Sequence, residues 1–289
     1  MSRPIRFWIF SDFHCGHVVG FTPPGWDKDT EPVTSERAAK AWQVRRSIYS
    51  WSHGLMDQLD PPDVILVNGD AIDGKGQLSG GTEELVADRG IEEGQGAMAA
   101  QVIEEIAKKA PKRPRIVMSY GTPYHTGRDE DFESPVAGKV GAEKIGEVDN
   151  VDLLGTVINY RHFVGRSVIP HGRFTAPARE QLWNLLFAQR GEYPAADVII
   201  RSHVHYYGYS GTGTGVAITT PAMQGYGSKF GMKIATGTVD VGFLTMEIYG
   251  PKKYTWDAHL WRAPFSPARK LFTDEEIEAM LAENLGTDA

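Results

Sequence analysis

Five short clusters in this sequence combine side chains that can bind metal ions or move protons. In chain order they are Asp12-Phe13-His14, Gly69-Asp70-Ala71-Ile72-Asp73, Gly121-Thr122-Pro123-Tyr124-His125, His171-Gly172 and His203-Val204-His205. Imidazole nitrogens and carboxylate oxygens suit borderline and hard divalent ions. Because the chain has a single cysteine, Cys15, a structural zinc site built on thiolates is disfavoured. The residue types therefore point to a catalytic metal site.

Each cluster follows a short apolar segment that reads as a β-strand. These predicted strands cover residues 5–10, 63–67, 115–119, 166–169 and 197–200. In open α/β sheets, ligands bind beyond the carboxyl ends of the strands. We therefore expect clusters that are distant in sequence to converge on one site.

Predicted helices alternate with these strands in the first half of the chain. Apolar residues at helical spacing predict helices over residues 35–59, with a break at Gly54, and over residues 94–109. Such alternation is typical of crossover connections, and it indicates a largely parallel sheet.

The second half of the chain is richer in predicted strands. After a helix that begins near residue 175, strands are predicted at residues 216–220, 241–249 and 254–260. Thr273 and Glu276 form a capping box before a last amphipathic helix. We expect one main domain over residues 1–265 and a C-terminal helical extension over residues 266–289.

Composition limits the class of protein. The longest apolar runs, such as residues 5–10, are far shorter than the roughly 20 residues that a transmembrane helix needs. No export signal precedes the first strand, and the lone Cys15 fits a reducing compartment. We expect a soluble, cytoplasmic protein with no membrane partner and no obligate protein partner.

The formal net charge of −7 argues against a broad basic surface for non-specific nucleic-acid binding. It leaves a nucleic-acid substrate open, because bound metal ions add positive charge where a phosphate must sit. A globally acidic enzyme can therefore have a locally positive cleft.

The clusters, taken in order, resemble the motifs of the calcineurin-like metallophosphoesterases, which are DxH, GDxxD, a GNH-type turn, a lone His and GHxH. The matching residues are Asp12 and His14, then Gly69, Asp70 and Asp73, then His171, and last Ser202-His203-Val204-His205 with Ser in place of Gly. The resemblance spans about residues 5–206. The lengthened third motif and the Gly-rich stretch 74–81 are similar to phosphoesterases encoded by phages and prophages.

The resemblance implies an α/β fold, a four-layer αββα sandwich of two mixed β-sheets flanked by helices. It also implies two divalent metal ions, with manganese favoured over iron, zinc or magnesium. The implied ligands are Asp12, His14 and His205 for one ion, His171 and His203 for the other, and Asp70 for both.

The third motif departs from the family pattern. Thr122 stands where the family has a metal-binding Asn, so it offers a hydroxyl or leaves the position to water. His125 remains a candidate proton donor, because a histidine near neutral pKa suits general acid catalysis. By the same resemblance, Asp73 would orient His125. His17, just after the first motif, is either close to the metal site or simply exposed.

The lone histidine of the family pattern has two candidates. His162 could fill the position, but His171 fits better because it directly follows a predicted strand. His53 and His259 lie away from the clusters and are interpreted as structural.

These residues favour a metal-dependent phosphoesterase in which two metal ions activate water. A phosphodiester, in a nucleotide or DNA, is the preferred substrate. Three alternatives remain open: a phosphomonoesterase, a metal-dependent amide or ester hydrolase, and a non-catalytic metal-binding module of the same fold.

Overall fold

The computed structural model describes residues 3–26, 36–74, 91–126, 131–167, 169–226, 239–263 and 271–285. The strands in these ranges form two mixed β-sheets, one of six strands and one of five. Their bounds are β1 Ile5–Phe10, β2 Val64–Asn68, β3 Arg115–Ser119, β4 Lys144–Gly146, β5 Asp149–Leu153, β6 Thr156–Tyr160, β7 Val198–Arg201, β8 Gly208–Thr212, β9 Gly215–Thr219, β10 Val241–Gly250 and β11 Lys253–Trp261.

The helices of the described ranges lie mainly between these strands. Their bounds are α1 Glu36–Met56, α2 Gly96–Ala107, α3 Pro123–Thr126, α4 Glu133–Lys139, α5 Thr175–Gln189 and α6 Asp274–Leu285. Short 3-10 helices cover Pro24–Trp26 and Pro170–Phe174, and a π-helical turn, Ile91–Gln95, precedes α2.

The strand orders fix the direction of the strands that carry the site. The first sheet has the order β11-β10-β1-β2-β3-β4. Strands β1 to β4 are parallel, whereas β10 pairs antiparallel with β1 and β11 pairs antiparallel with β10. The second has the order β5-β6-β7-β9-β8, with β6, β7 and β9 parallel. The predicted parallel arrangement of the first half of the chain is confirmed.

Side chains of successive strand residues point to opposite faces of a sheet, and β1 shows what each face packs against. Trp8 and Phe10 pack with the apolar faces of α1 and α2, whereas Phe7 and Ile9 face the second sheet. There they share a buried cluster with β6 and β7 residues such as Tyr160.

Helix α5 covers the outer face of the second sheet over β7, β9 and β8. The layers therefore run helix, sheet, sheet, helix, and the predicted αββα sandwich is confirmed.

Several local predictions can be compared with the structure directly. Helix α1 continues through Gly54 without a break. The capping box is present, since the Thr273 backbone N–H donates to the Glu276 carboxylate and the Glu276 N–H donates to the Thr273 hydroxyl. Of the strand predicted at residues 166–169, the described residues Arg166, Ser167 and Ile169 are not in a strand, and a 3-10 helix follows them. None of the described helices is long and apolar enough to cross a membrane.

Candidate metal centre

The candidate residues meet where parallel strands of both sheets end. Backbone hydrogen bonds continue the strand pairing into the loops that carry them. The Asp12 N–H donates to the Gly69 carbonyl at 3.0 Å, and the His14 N–H donates to the Asp70 carbonyl at 2.9 Å. These bonds hold the loops after β1 and β2 side by side, so the side chains of both loops reach the same point.

Five of the candidate residues have a backbone conformation that non-glycine residues rarely adopt. Positive φ angles occur at Asp12 (52°), His14 (44°), Asp70 (50°), His203 (73°) and His205 (53°). In the described part of the chain only two other non-glycine residues share this feature. Left-handed backbone at such residues costs free energy and is concentrated at functional sites.

Asp12, His14 and His205 form the first group that could hold a metal ion. The His205 Nε2 lies 3.0 Å from Asp12 Oδ1, and the His14 Nε2 lies 3.9 Å from the same oxygen. The two imidazole Nε2 atoms are 3.4 Å apart. Three ligand atoms therefore converge from the ends of β1 and β7.

Asp70, His162 and His203 form the second group. The His162 Nε2 lies 3.0 Å from Asp70 Oδ2, and this same oxygen lies 4.0 Å from the His14 Nε2 of the first group. Asp70 thus stands between the two groups, as a bridging ligand would.

Some buried polar atoms of these two groups make no hydrogen bond and are therefore suited to bind a metal ion. Asp12 Oδ1 and His162 Nε2 are fully buried and make no hydrogen bond of acceptable geometry with the described residues. His162 donates its Nδ1 proton to the Asn68 carbonyl at 2.7 Å, and His14 Nδ1 is 3.2 Å from Asp73 Oδ1. Because both Nδ1 atoms make hydrogen bonds, the Nε2 atom of each ring is left to bind a metal ion. Metal-binding histidines usually adopt this tautomer.

Electrostatics in the site couple proton binding to metal binding. Burial opposes a charged His162, but the carboxylates of Asp70 and Asp12 outweigh it and raise its pKa to about 10. For the Asp12 carboxylate, burial would raise the pKa, yet the imidazoles of His205 and His162 outweigh this effect and lower it. Burial and nearby His162 lower the pKa of His203 to about 4. A metal ion bound by His162 would displace this proton, so we expect the affinity for the metal to fall as the pH drops below about 10.

Asp73 acts on two histidines, though not in the way the sequence predicts. Its carboxylate contacts His14, whereas its backbone carbonyl accepts the hydrogen bond from His125 Nδ1 at 2.7 Å. The Asp73 carboxylate is 3.8 Å from His125 Nδ1. His125 Nε2 faces Asp70 Oδ2 at 3.7 Å. Burial disfavours a charged His125, but Asp70 and Asp73 reverse this and raise its pKa.

Thr122 holds the carboxylate that stands between the two groups. Its backbone N–H donates to Asp70 Oδ1 at 2.7 Å, and its hydroxyl is 3.3 Å from that oxygen. The preceding residue must be a glycine, because a Cβ on Gly121 would lie 2.0 Å from the same Asp70 oxygen. The lengthened third motif thus binds Asp70.

Glu133, at the start of α4, belongs to the site although no sequence motif contains it. Its fully buried carboxylate accepts the Ala71 N–H at 2.8 Å and the Gly121 N–H at 2.6 Å. It therefore joins the loop after β2 to the loop after β3. Burial first, and then the charge of Asp70, raise the pKa of Glu133 to about 7.

The structure corrects the choice of the lone histidine. His171 is exposed in the 3-10 helix Pro170–Phe174 and lies in none of the groups of described residues that could hold a metal. The second candidate group contains His162 instead. His162 comes two residues after the end of β6, whereas the described residues just before the 3-10 helix of His171 are not in a strand.

The other residues considered in the sequence differ in their relation to the candidate metal groups. His17 is buried and accepts a hydrogen bond from the Val19 N–H at 3.1 Å. Burial raises the pKa of Asp73, and His17 is among the groups that lower it. His53 stacks on Tyr49, with ring centroids 4.4 Å apart, and is not part of a candidate metal group. Cys15 is buried, and its thiol donates to the Phe21 carbonyl.

No protein-family profile matches the sequence, and no curated protein matches it significantly. Among solved structures, the chain is similar to vacuolar protein sorting 29 from Cryptosporidium parvum, with a TM-score of 0.43 and 11% identity over 91% of this chain and 100% of that one. An archaeal phosphodiesterase is similar with a TM-score of 0.40 and 12% identity, over 88% of this chain and 100% of that one. Likeness at this level assigns no activity.

The two candidate histidines give a direct test of the second metal group. We expect His162→Ala to lower the affinity for Mn²⁺ by at least about 10- to 100-fold, because it removes a buried ligand atom. His171→Ala should bind Mn²⁺ like the unmodified protein. Isothermal titration of metal-stripped protein would measure both affinities. A loss confined to His171→Ala would restore the sequence-based choice.

The role of Glu133 in joining the loops that carry Asp70 and Thr122 can be tested. Glu133→Ala leaves two backbone N–H groups buried without an acceptor, so unfolding free energy should fall by about 2–4 kcal/mol, and Mn²⁺ affinity should fall as well. The exposed Glu143 offers the control, and Glu143→Ala should cost at most about 1 kcal/mol. Denaturant unfolding and metal titration give the two values. Equal losses in both variants would contradict the role of Glu133.

Proposed function

We propose that this chain is a dinuclear metal-dependent phosphoesterase that hydrolyses phosphodiesters. One observation carries the proposal: two groups of His and Asp ligand atoms lie side by side, with Asp70 Oδ2 of the second group 4.0 Å from His14 Nε2 of the first, and they contain buried atoms without hydrogen-bond partners. Carboxylate and imidazole ligands of this kind suit manganese, iron, zinc or magnesium, and we favour manganese.

The roles of the residues follow from their positions. Asp12, His14 and His205 would hold one ion, His162 and His203 the other, and Asp70 both. When bound, two such ions supply Lewis acidity for the phosphoryl oxygens and lower the pKa of the attacking water. Asp73 and Asn68 accept the Nδ1 protons of His14 and His162, which keeps those rings oriented.

His125 would donate the proton to the leaving group. Its Nδ1 proton is committed to the Asp73 carbonyl, so Nε2 is the atom that can carry a transferable proton toward the site. The charges of Asp70 and Asp73 keep the pKa of His125 raised despite burial, which favours the protonated ring that a general acid requires. Water attack and protonation of the departing alkoxide complete the hydrolysis without a covalent enzyme intermediate.

The preference for a diester rests on the resemblance of the third motif and of the Gly-rich stretch 74–81 to phage and prophage phosphoesterases. Residues 75–81 of that stretch lie outside the described residues. The experiment must therefore separate diesters from monoesters, and phosphate esters from carboxylic esters.

The test is hydrolysis of bis-p-nitrophenyl phosphate by metal-stripped protein resupplied with Mn²⁺. We expect activity that needs the metal and falls at least about 100-fold in Asp70→Asn, because that carboxylate serves both ions. Asp57→Asn is the matched control, since Asp57 is an exposed partner of Lys109 far from the metal groups; it should retain full activity.

Parallel assays distinguish the alternatives. Turnover of p-nitrophenyl phosphate alone would indicate a monoesterase, and turnover of p-nitrophenyl acetate alone would indicate an ester or amide hydrolase. One tightly held ion without turnover of any substrate would indicate a metal-binding module.

The role of His125 predicts a dependence on the leaving group. Nitrophenolate departs without a proton, whereas the alkoxide of a dinucleotide needs one, so His125→Gln should slow dinucleotide cleavage by about 10²- to 10⁴-fold and bis-p-nitrophenyl phosphate much less. His171→Gln, on an exposed ring, is the control. Equal losses on both substrates in His125→Gln would assign that residue to positioning rather than proton donation.

A further inference from the structure

Phe163 has an exposed apolar side chain beside the candidate metal centre. It follows His162, its side chain is 53% exposed, and its ring centroid lies 5.0 Å from that of His203 at an interplanar angle of 40°. The neighbouring Val164 is buried in a small apolar cluster, but Phe163 belongs to no buried cluster of the described residues. About half of this residue is therefore open to a ligand beside the second metal group.

The ring lies at one end of the site. His203 contacts His162, with ring centroids 5.5 Å apart, in the second metal group. His125 lies against His14 of the first group, at 4.4 Å. If His125 protonates the leaving group, a substrate group that lies on Phe163 belongs to the part of the ester that stays on the phosphate.

We propose that the substrate is a nucleotide phosphodiester whose base stacks on Phe163. This inference rests on the proposed function for its chemistry, since it names the substrate of that site. Every nucleobase has a π-face that can stack on an aromatic ring, so this contact selects nucleotides without selecting one base.

The test compares two diesters with the same leaving group, thymidine 5′-(p-nitrophenyl phosphate) and methyl p-nitrophenyl phosphate. We expect kcat/KM to favour the thymidine ester by about tenfold or more, the range of one base–aromatic stack. Phe163→Ala should remove this preference, and Phe163→Trp should keep it. Phe174→Ala is the matched control, because Phe174 is 52% exposed on the same segment, and it should leave the preference intact.

Binding provides a second readout that does not depend on turnover. Thymidine 5′-monophosphate should bind Mn²⁺-loaded protein about tenfold more tightly than methyl phosphate, and Phe163→Ala should abolish that difference in calorimetric titration. If neither ester is hydrolysed but the binding difference is present and lost in Phe163→Ala, the proposed function fails and the nucleotide contact stands. Hydrolysis of both esters with equal kcat/KM, or a preference that survives in Phe163→Ala, would overturn the inference and leave the phosphoesterase intact.

Discussion

Two buried carboxylates at the ends of neighbouring parallel strands determine how this site is built. Asp12 and Asp70 are at most 1% exposed, and burying a carboxylate is costly unless positive charge or hydrogen bonds compensate for it. Imidazoles from both sheets surround them, and the Thr122 N–H and hydroxyl lie against Asp70. Without a metal ion, the proton on His162 supplies part of the compensation; a divalent ion would supply more.

Strand alternation was enough to predict the largely parallel first sheet, and the motif positions were enough to predict the convergence of Asp12, His14, Asp70, His203 and His205. Each of these residues lies within four residues of the end of an apolar strand, and the topology of parallel strands places them together. The αββα sandwich itself was implied by the resemblance of the ordered motifs to the metallophosphoesterases, because periodicity identifies strands and helices but not how two sheets pack.

The histidine choice could not be made in the same way. The segment at residues 166–169 has the pattern of a strand, yet its described residues are not in one. An apolar pattern does not reveal whether a neighbouring strand is available to pair with the segment. The role of Glu133 could not be predicted from the sequence for a different reason. Its contacts are to backbone N–H groups of two loops, and such contacts impose no pattern on the residues that they join.

The candidate metal groups around Asp12 and Asp70 both draw their ligands from both sheets. Asp12 and His14 follow a strand of the first sheet and His205 follows one of the second; likewise Asp70 comes from the first, and His162 and His203 from the second. Metal ions would therefore act as cross-links between the halves of the sandwich, in addition to the apolar contacts there. Separation of the sheets would release the ions, so the stability of the whole fold would depend on the free concentration of divalent metal. A cell that limits its supply of that metal would thereby lower the folded fraction of this protein.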